Sequence, residues 1–333
     1  MLDRDASQPA IELGFRDGPY APVDALKTRR AYWAGVYWSG SVFEEGLFVE
    51  QAKRKKVTIK SLQNKKKSGQ KITSLGVYDA PMAAIADRVG FDLLIIGNAG
   101  PMALLGHPDP TTVTFEEQLF LTKAVSRVAK YGMVVAHLPY LTYHASKEQA
   151  VMSAGRMISE GGADCVKCEG NRHTAEYIAE IVRAGIPVMG HIGMQASRRT
   201  EQSGFGIKGR TAEEAAQIVD TAKAFIDAGV FAFIVEQIPT ELAAFLKSNF
   251  SAPMITLGGG RDCDGIYHIS GDVVGYSAFP IPKNRGNFAD VRPIIEKAFT
   301  EYRDASSNNA YPPDEYTFRM TPEEHKKFLT LVG

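Results

Sequence analysis

Six polar side chains stand at or close behind the ends of short apolar runs in this 333-residue chain. They are an amide, two imidazoles, an ammonium group and two carboxylates, at Asn98, His137, His191, Lys167, Glu169 and Glu236. Carboxylates and imidazoles transfer protons, an ammonium group stabilises an oxyanion, and imidazole with carboxylate can hold a metal ion. Gathered in one place, these groups would suit chemistry on a small acid.

Lys167 and Glu169 are two residues apart, so on a strand their side chains point to the same face. One interpretation is a buried salt bridge. A buried salt bridge stabilises a protein little, because desolvation offsets much of the attraction between its charges. A catalytic or ligand-binding role is therefore favoured for this pair. His137 is followed directly by Leu-Pro-Tyr, which ends its apolar run and favours a ligand contact over a core histidine. For His191, a ligand contact and a core histidine are equally favoured.

The elements that must position these groups are read from a repeated pattern of short apolar runs and helical segments. Eight runs predict strands, at Ile72–Val77, Asp92–Ile96, Met133–Ala136, Asp164–Cys168, Pro187–Gly190, Phe231–Val235, Pro253–Leu257 and Asp272–Tyr276. Helices are predicted between them, at Thr114–Lys130, Ser146–Glu160, Thr211–Ala228 and Pro239–Phe250. Thr114 with Glu117 and Ser146 with Gln149 form capping-box patterns.

This alternation predicts an α/β fold with a parallel sheet. Eight strands fit a closed (β/α)8 TIM barrel better than an open sheet, and no GxGxxG follows the first strand. In such a barrel the carboxyl ends of the strands meet at one mouth, which carries the active site. The six polar side chains are therefore expected to lie together there.

Two loops are candidates to cover that mouth. His107 lies in a Gly-His-Pro loop after the second strand. Residues Gly193–Arg210 combine Gly204, Gly206 and Gly209 with the basic residues Arg198, Arg199, Lys208 and Arg210. Such a loop is typical of a lid that closes over an anion, and a flexible surface loop is the alternative.

Residues 1–56 are predicted to form an N-terminal extension, and residues 57–333 the barrel. The extension holds both tryptophans, Trp33 and Trp38, and we expect it to pack on the barrel or on a neighbouring subunit. The basic stretch from Lys53 to Lys71 is expected to be a solvated helix and loop.

The amino-acid composition indicates which binding partners and which cellular compartment to expect. Lys plus Arg and Asp plus Glu both number 38, so the formal charge is zero, which does not favour a nucleic-acid partner. Three cysteines are too few for a disulfide framework. Cys165 and Cys168 would face opposite sides of a strand, which argues against a redox or zinc-binding role for the pair. With no secretory signal and no long apolar run, a cytoplasmic location without a membrane partner is expected.

From about Val57 to Phe288 the chain resembles the ketopantoate hydroxymethyltransferase family of the phosphoenolpyruvate mutase/isocitrate lyase superfamily. The resemblance rests on the order and spacing of short motifs: Tyr78-Asp79, Gly106-His107, Val113-Thr114, Leu138-Pro139, Val166-Lys167 with Glu169-Gly170, Gly190-His191 with Gly193, Glu236 with Pro239, Asp264-Gly265, and Pro282-Lys283 with Asn287-Phe288.

The resemblance implies a reaction. A 2-oxo acid such as 3-methyl-2-oxobutanoate binds a divalent metal, a base removes its C3 proton, and the enolate attacks a one-carbon unit from 5,10-methylenetetrahydrofolate. The position of the base corresponds to Glu236, assisted by Lys167. Metal and substrate positions correspond to Asn98, Ala99, His137, Lys167 and Glu169, and His191 is a further candidate substrate contact. The resemblance also implies homo-oligomers and a place in pantothenate biosynthesis.

The chain departs from the family pattern at the metal. The family has Asp-Ser where this chain has Asn98-Ala99, and Asp where it has His137. Glu169 and His137 are left as metal ligands, a pair that disfavours magnesium and favours zinc, manganese, iron or cobalt. A metal-free site, in which Lys167 and His137 stabilise an oxyanion, is the alternative. There are two alternative functions. The protein is a related lyase, hydrolase, decarboxylase or isomerase that does not use folate, or it is a non-catalytic binding protein.

Overall fold

The protein is described by a computed structural model that covers residues 54–277, 279–280 and 286–333. Eight parallel strands close into a barrel in chain order, each strand pairing with the next and the last with the first. The predicted (β/α)8 barrel is confirmed. The extension predicted at residues 1–56 lies almost wholly outside the described residues and stays a prediction. The strands are β1 (Ile72–Gly76), β2 (Leu93–Ile96), β3 (Met133–His137), β4 (Cys165–Glu169), β5 (Val188–Gly193), β6 (Ala232–Glu236), β7 (Met254–Leu257) and β8 (Gly265–Ile269).

Helices surround the barrel and extend beyond it at the C-terminus. They are α1 (Ile59–Ser68), α2 (Ala80–Val89), α3 (Ala99–Leu105), α4 (Phe115–Ser126), α5 (Lys147–Ser159), α6 (Ala175–Arg183), α7 (Ala212–Asp227), α8 (Thr240–Asn249), α9 (Ser270–Val274), α10 (Arg292–Ser307) and α11 (Pro322–Val332).

The N-terminal caps predicted for two helices are present. At α4 the Thr114 hydroxyl accepts from the backbone N–H of Glu117, whose carboxylate accepts in return from the N–H of Thr114. At α5 the Ser146 hydroxyl accepts from the N–H of Gln149. These bonds satisfy N–H groups that have no partner inside the helix, and so they fix where each helix begins.

The apolar side chains of the strands form two cores because successive residues point to opposite faces of the sheet. Leu93, Ile95 and Val135 belong to a cluster inside the barrel. Leu94 and Val134 point outward and pack with the surrounding helices. Strands such as β2 and β3 are therefore packed on both faces, which gives the rigidity that a site at the strand ends needs.

The prediction of the eighth strand at Asp272–Tyr276 is wrong. That segment holds most of the short helix α9 and the turn after it, and the strand lies at Gly265–Ile269. The true strand was missed because its outward positions are not buried apolar residues: Ile266 is exposed and His268 is half-buried. Gly265 lets β8 approach β1 closely, since a Cβ there would lie 2.5 Å from the carbonyl oxygen of Ile72.

Helix α1 closes the end of the barrel opposite the mouth. Leu62 is buried in the interior cluster, and two lysines of the helix pair with aspartates beside strand starts. Lys65 Nζ lies 2.7 Å from Asp92, and Lys66 Nζ lies 2.7 Å from Asp264. The expectation that Lys53–Lys71 is only solvated is therefore wrong for these two residues. Within the described part of the chain, no helix is long and apolar enough to cross a membrane.

Candidate active site

The strand register brings the predicted polar side chains to one level at the mouth of the barrel. His137 on β3 is paired with Lys167 on β4, and Glu169 is paired with His191 on β5. Glu236 ends β6, where it pairs with Gly193 at the end of β5. None of these five charged or ionisable residues, nor Asn98, is more than 8% exposed. The prediction that they lie at the ends of adjacent strands is confirmed.

Glu169 is held by donors on both carboxylate oxygens. Oε1 accepts from Asn98 Nδ2 at 2.8 Å, and Oε2 accepts from the backbone N–H of Ser197 at 3.0 Å. Oε1 also lies 3.3 Å from His191 Nδ1 and 3.7 Å from Lys167 Nζ. Burial raises the pKa of Glu169, but the contacts with His191 and Lys167 outweigh burial and hold the pKa well below its usual range. Glu169 is therefore ionised at neutral pH.

Lys167 and His191 contact each other, with Nζ 3.0 Å from Nδ1. Burial lowers the pKa of Lys167, and the negative charges of Glu169 and Glu236 act against that lowering. His191 Nε2 lies 3.2 Å from Glu236 Oε2, although it is not aligned as a hydrogen bond. His191 thus stands between the lysine and the second carboxylate.

Besides His191 Nε2, two further buried groups of the site have polar atoms without a hydrogen-bond partner in the described structure. These are both ring nitrogens of His137 and the amide oxygen of Asn98. Burial, and next the charge of Lys167, lower the pKa of His137, so its ring is neutral and can act as a ligand. A buried polar atom without a partner calls for a ligand, an ion or a water at that place.

Asn98 shows how the local fold serves the site. It occupies the N-cap position of α3, yet its side chain makes no capping hydrogen bond. Its Nδ2 donates instead to Glu169 and, at 2.8 Å, to the Ser197 hydroxyl. The side chain therefore contributes to the hydrogen bonds of the site and not to the start of the helix.

Those unpartnered atoms are of the kinds that bind divalent cations in proteins. Asn98 Oδ1, a ring nitrogen of His137 and the Glu169 carboxylate would supply two oxygens and a nitrogen. Among the described residues, no three His, Cys, Asp or Glu side chains are placed to hold a metal ion. The donor set therefore contains one carboxylate, one imidazole and one neutral amide, a combination poorer in charge than magnesium usually takes.

Three residues of the site were missed by the reasoning from sequence. Ser197 donates to Glu169 from the backbone and accepts from Asn98. Gln195 Nε2 donates to the carbonyl oxygens of Gly170 and His191. The Tyr143 hydroxyl donates to the carbonyl oxygen of Glu169. Ser197 and Gln195 lie in the loop singled out as a lid, but an ordinary serine or glutamine carries no signal of its contact.

The basic side chains of that loop are largely paired with protein groups. Arg198 contacts Glu201, Arg199 pairs with Asp109, and Lys208 donates to the carbonyl oxygen of Gln202. His107 contacts Thr112 and Glu117. Closing over an anion would require some of these pairs to break, and the lid stays a prediction. Ala99 begins α3 beside Asn98 and packs against the outer core.

A match to a family model decides the affiliation. Residues 56–314 match the model described as ketopantoate hydroxymethyltransferase. The chain belongs to the ketopantoate hydroxymethyltransferase family. Among its relatives is the 3-methyl-2-oxobutanoate hydroxymethyltransferase of Dehalococcoides mccartyi strain BAV1, 39% identical over 82% of this chain and 99% of the relative. The enzyme of that name from Carboxydothermus hydrogenoformans is 38% identical over 80% of this chain and 97% of the relative.

Solved structures of other proteins align with the barrel of this member of the ketopantoate hydroxymethyltransferase family. Phosphonopyruvate hydrolase aligns with a TM-score of 0.53 at 12% identity, over 82% of this chain and 97% of that one. Phosphoenolpyruvate phosphomutase from Streptomyces platensis subsp. rosaceus aligns with a TM-score of 0.51 at 13% identity, over 82% of this chain and 97% of that one. At such low identity the likeness concerns the barrel alone. The family resemblance seen in the motifs is confirmed.

Proposed function

We propose that this protein is a 3-methyl-2-oxobutanoate hydroxymethyltransferase that takes a one-carbon unit from 5,10-methylenetetrahydrofolate. The observation that carries the proposal is the buried cluster of Lys167, Glu169, His191 and Glu236 at the mouth of the barrel, in a chain of this family. The cluster contains a carboxylate to remove a proton and a cation to stabilise the resulting charge. A non-catalytic binding protein would not need both.

Glu236 is the general base in this proposal. It removes the C3 proton of the 2-oxo acid and becomes a carboxylic acid, while the C–H electron pair forms the enolate. Lys167, with His191 Nδ1 as its hydrogen-bond acceptor, places positive charge beside the enolate oxygen. Water supplies the hydroxyl oxygen: it adds to the one-carbon unit, which leaves both folate nitrogens as formaldehyde while those nitrogens take up protons. The enolate carbon then attacks the formaldehyde carbon, and the new alkoxide takes the proton held by Glu236, which restores the carboxylate. Asn98, Ala99, His137 and His191 line the substrate position.

Glu169 and His137 hold a divalent cation in this proposal, and the amide oxygen of Asn98 is the third protein ligand. When bound, such a cation supplies charge that polarises the carboxylate and oxo groups of the substrate. An imidazole with a single carboxylate favours zinc, manganese, cobalt or iron over magnesium. We also propose that the protein is a homo-oligomer.

The test is turnover with defined substrates. Purified protein is incubated with 3-methyl-2-oxobutanoate and 5,10-methylenetetrahydrofolate in the presence of zinc, manganese, cobalt or magnesium in turn, and the hydroxymethylated acid is measured by mass spectrometry. The proposal predicts product only when both substrates are present. The Glu236→Gln variant is the control, because an amide cannot take the proton. Turnover of the oxo acid that ignores the folate would instead indicate a lyase, hydrolase, decarboxylase or isomerase.

A further inference from the structure

Tyr267 is the large side chain that β8 contributes to the inside of the barrel. It belongs to the interior cluster and is only 7% exposed. Because the eight strands close in chain order, β8 lies four strands away from β4 in either direction around the barrel. Tyr267 therefore stands on the wall that faces Lys167 across the interior.

The hydroxyl of Tyr267 reaches the mouth of the barrel, where β1 and β2 carry glycines. Tyr267 is paired with Ser74 on β1, and Gly76 is the next inward-facing residue of β1 towards the mouth. A Cβ on Gly76 would lie 2.9 Å from the Tyr267 hydroxyl oxygen, and a Cβ on Gly97, directly after β2, would lie 3.2 Å from it. Gly97 immediately precedes Asn98, so the hydroxyl lies beside the active site.

The proposed function determines which end of the substrate approaches this wall. In that function the carboxylate and oxo groups of the acid are held near Lys167 and Glu169, and C3 lies within reach of Glu236 on β6. The other groups on C3 then point past Glu236, towards β7 and β8. On β7 the residue paired with Glu236 is Leu257, which is buried in the interior cluster. The alkyl end of the acid therefore lies between Leu257 and Tyr267.

We propose that Tyr267 determines which 2-oxo acids this protein accepts, because its hydroxyl limits the space for the alkyl groups on C3. The inference rests on the proposed function and adds to it a residue that selects the substrate by size. The backbone of Gly76 and Gly97 stands behind the hydroxyl, so the hydroxyl cannot withdraw when a larger acid binds. 3-Methyl-2-oxopentanoate, which has one methylene more than 3-methyl-2-oxobutanoate, is therefore a poor substrate. A pocket of fixed size discriminates one methylene by about 10–200-fold.

Exchange of the C3 proton in deuterated water, which needs no folate, measures this selection. Equal concentrations of 3-methyl-2-oxobutanoate and racemic 3-methyl-2-oxopentanoate are mixed in one sample with each divalent metal in turn, and both C3 signals are followed by NMR. The ratio of the two exchange rates is the ratio of kcat/KM for the two acids. A loss of folded protein lowers both rates equally and leaves the ratio unchanged. We expect the wild-type protein to prefer the smaller acid by about tenfold or more.

Two substitutions of Tyr267 should weaken this preference. Tyr267→Phe removes only the hydroxyl, and the preference for the smaller acid is expected to fall about fivefold or more. Tyr267→Leu opens a larger space at the same place, and the preference is expected to fall further. Ile266→Val is the matched control on β8, because Ile266 points outward and is 50% exposed, and it should keep the wild-type ratio. Thermal unfolding verifies that each variant is folded.

The possible failures of this inference and of the proposed function are distinguishable. A wild-type ratio in folded Tyr267→Phe and Tyr267→Leu would overturn the inference and leave the proposed function intact. Equal exchange of the two acids by the wild-type protein would overturn it in the same way. Exchange of neither acid by the wild-type protein with any metal would overturn the proposed function, and this inference with it.

Discussion

Lys167 and His191 face each other inside the barrel mouth, with Nζ 3.0 Å from Nδ1. An ammonium group has only donors, so while Lys167 is charged this contact uses Nδ1 as the acceptor, and Nε2 lies towards Glu236. The same contact keeps the ammonium group in a fixed position beside the proposed base, and fixed charges of this kind stabilise a developing oxyanion most effectively.

Replacing Lys167 by Met is expected to lower kcat/KM by about 10²–10³-fold, because the variant lacks the charge that faces the enolate oxygen. Glu169 keeps its bonds from Asn98 and Ser197 in this variant. Steady-state kinetics measure the effect, and thermal unfolding verifies that the barrel is intact. The matched control is Lys60→Met on the exposed face of α1. Wild-type kcat/KM in a folded Lys167→Met protein would exclude the lysine from the reaction.

Replacing His137 by Asp is expected to shift the metal preference towards magnesium. The change adds a carboxylate to a set that holds only one, and magnesium prefers such oxygen ligands, so its affinity should rise about tenfold or more. Isothermal titration of the metal-stripped protein with magnesium and with zinc measures both affinities. His325→Asp, exposed on α11, controls for the added charge. Equal affinities in wild type and His137→Asp would place the cation elsewhere.

The cysteines are expected to be unreactive in the folded protein. Burial raises the pKa of Cys168 to about 12 and of Cys263 to about 11, and it also raises that of Cys165. At pH 8 only about one molecule in ten thousand then carries the Cys168 thiolate, which is the reactive form. A disulfide reagent should therefore label none of the three until denaturant is added. Rapid labelling of the native protein at pH 8 contradicts this assignment.

Replacing Lys66 by Met is expected to lower the free energy of unfolding by about 3 kcal/mol, because it leaves the buried Asp264 carboxylate without its ammonium partner. Asp264 would retain only its bond from the N–H of Met254. Urea unfolding measures the change, with Lys60→Met again as the control on the same helix. A loss as small as that of the control would mean that α1 is not fastened to the barrel through this pair.

The sequence predicted the parts of the site that the strand pattern determines. Once β3 to β6 were located, the positions of His137, Lys167, His191 and Glu236 followed, because parallel strands end at one mouth. The contact of Ser197 with Glu169 could not be predicted in this way. It depends on the path of a loop, and a loop path is set by many weak contacts rather than by a periodic pattern.

The prediction of the last strand, β8, was wrong for a related reason. The pattern of apolar runs identifies strands that are covered on both faces, and Ile266 on the outer face of β8 is exposed among the described residues. The apolar residues of α9 matched the pattern better than the strand itself did.

The central claim is that Glu236 removes the C3 proton of a 2-oxo acid. Wild-type protein and Glu236→Gln are incubated with 3-methyl-2-oxobutanoate in deuterated water, without folate and with each divalent metal in turn, and the C3 proton signal is followed by NMR. The account predicts loss of that signal with the wild-type protein under at least one metal condition, and no loss above background with Glu236→Gln. Equal exchange by both proteins would contradict the account, as would the absence of exchange by folded wild-type protein under every condition.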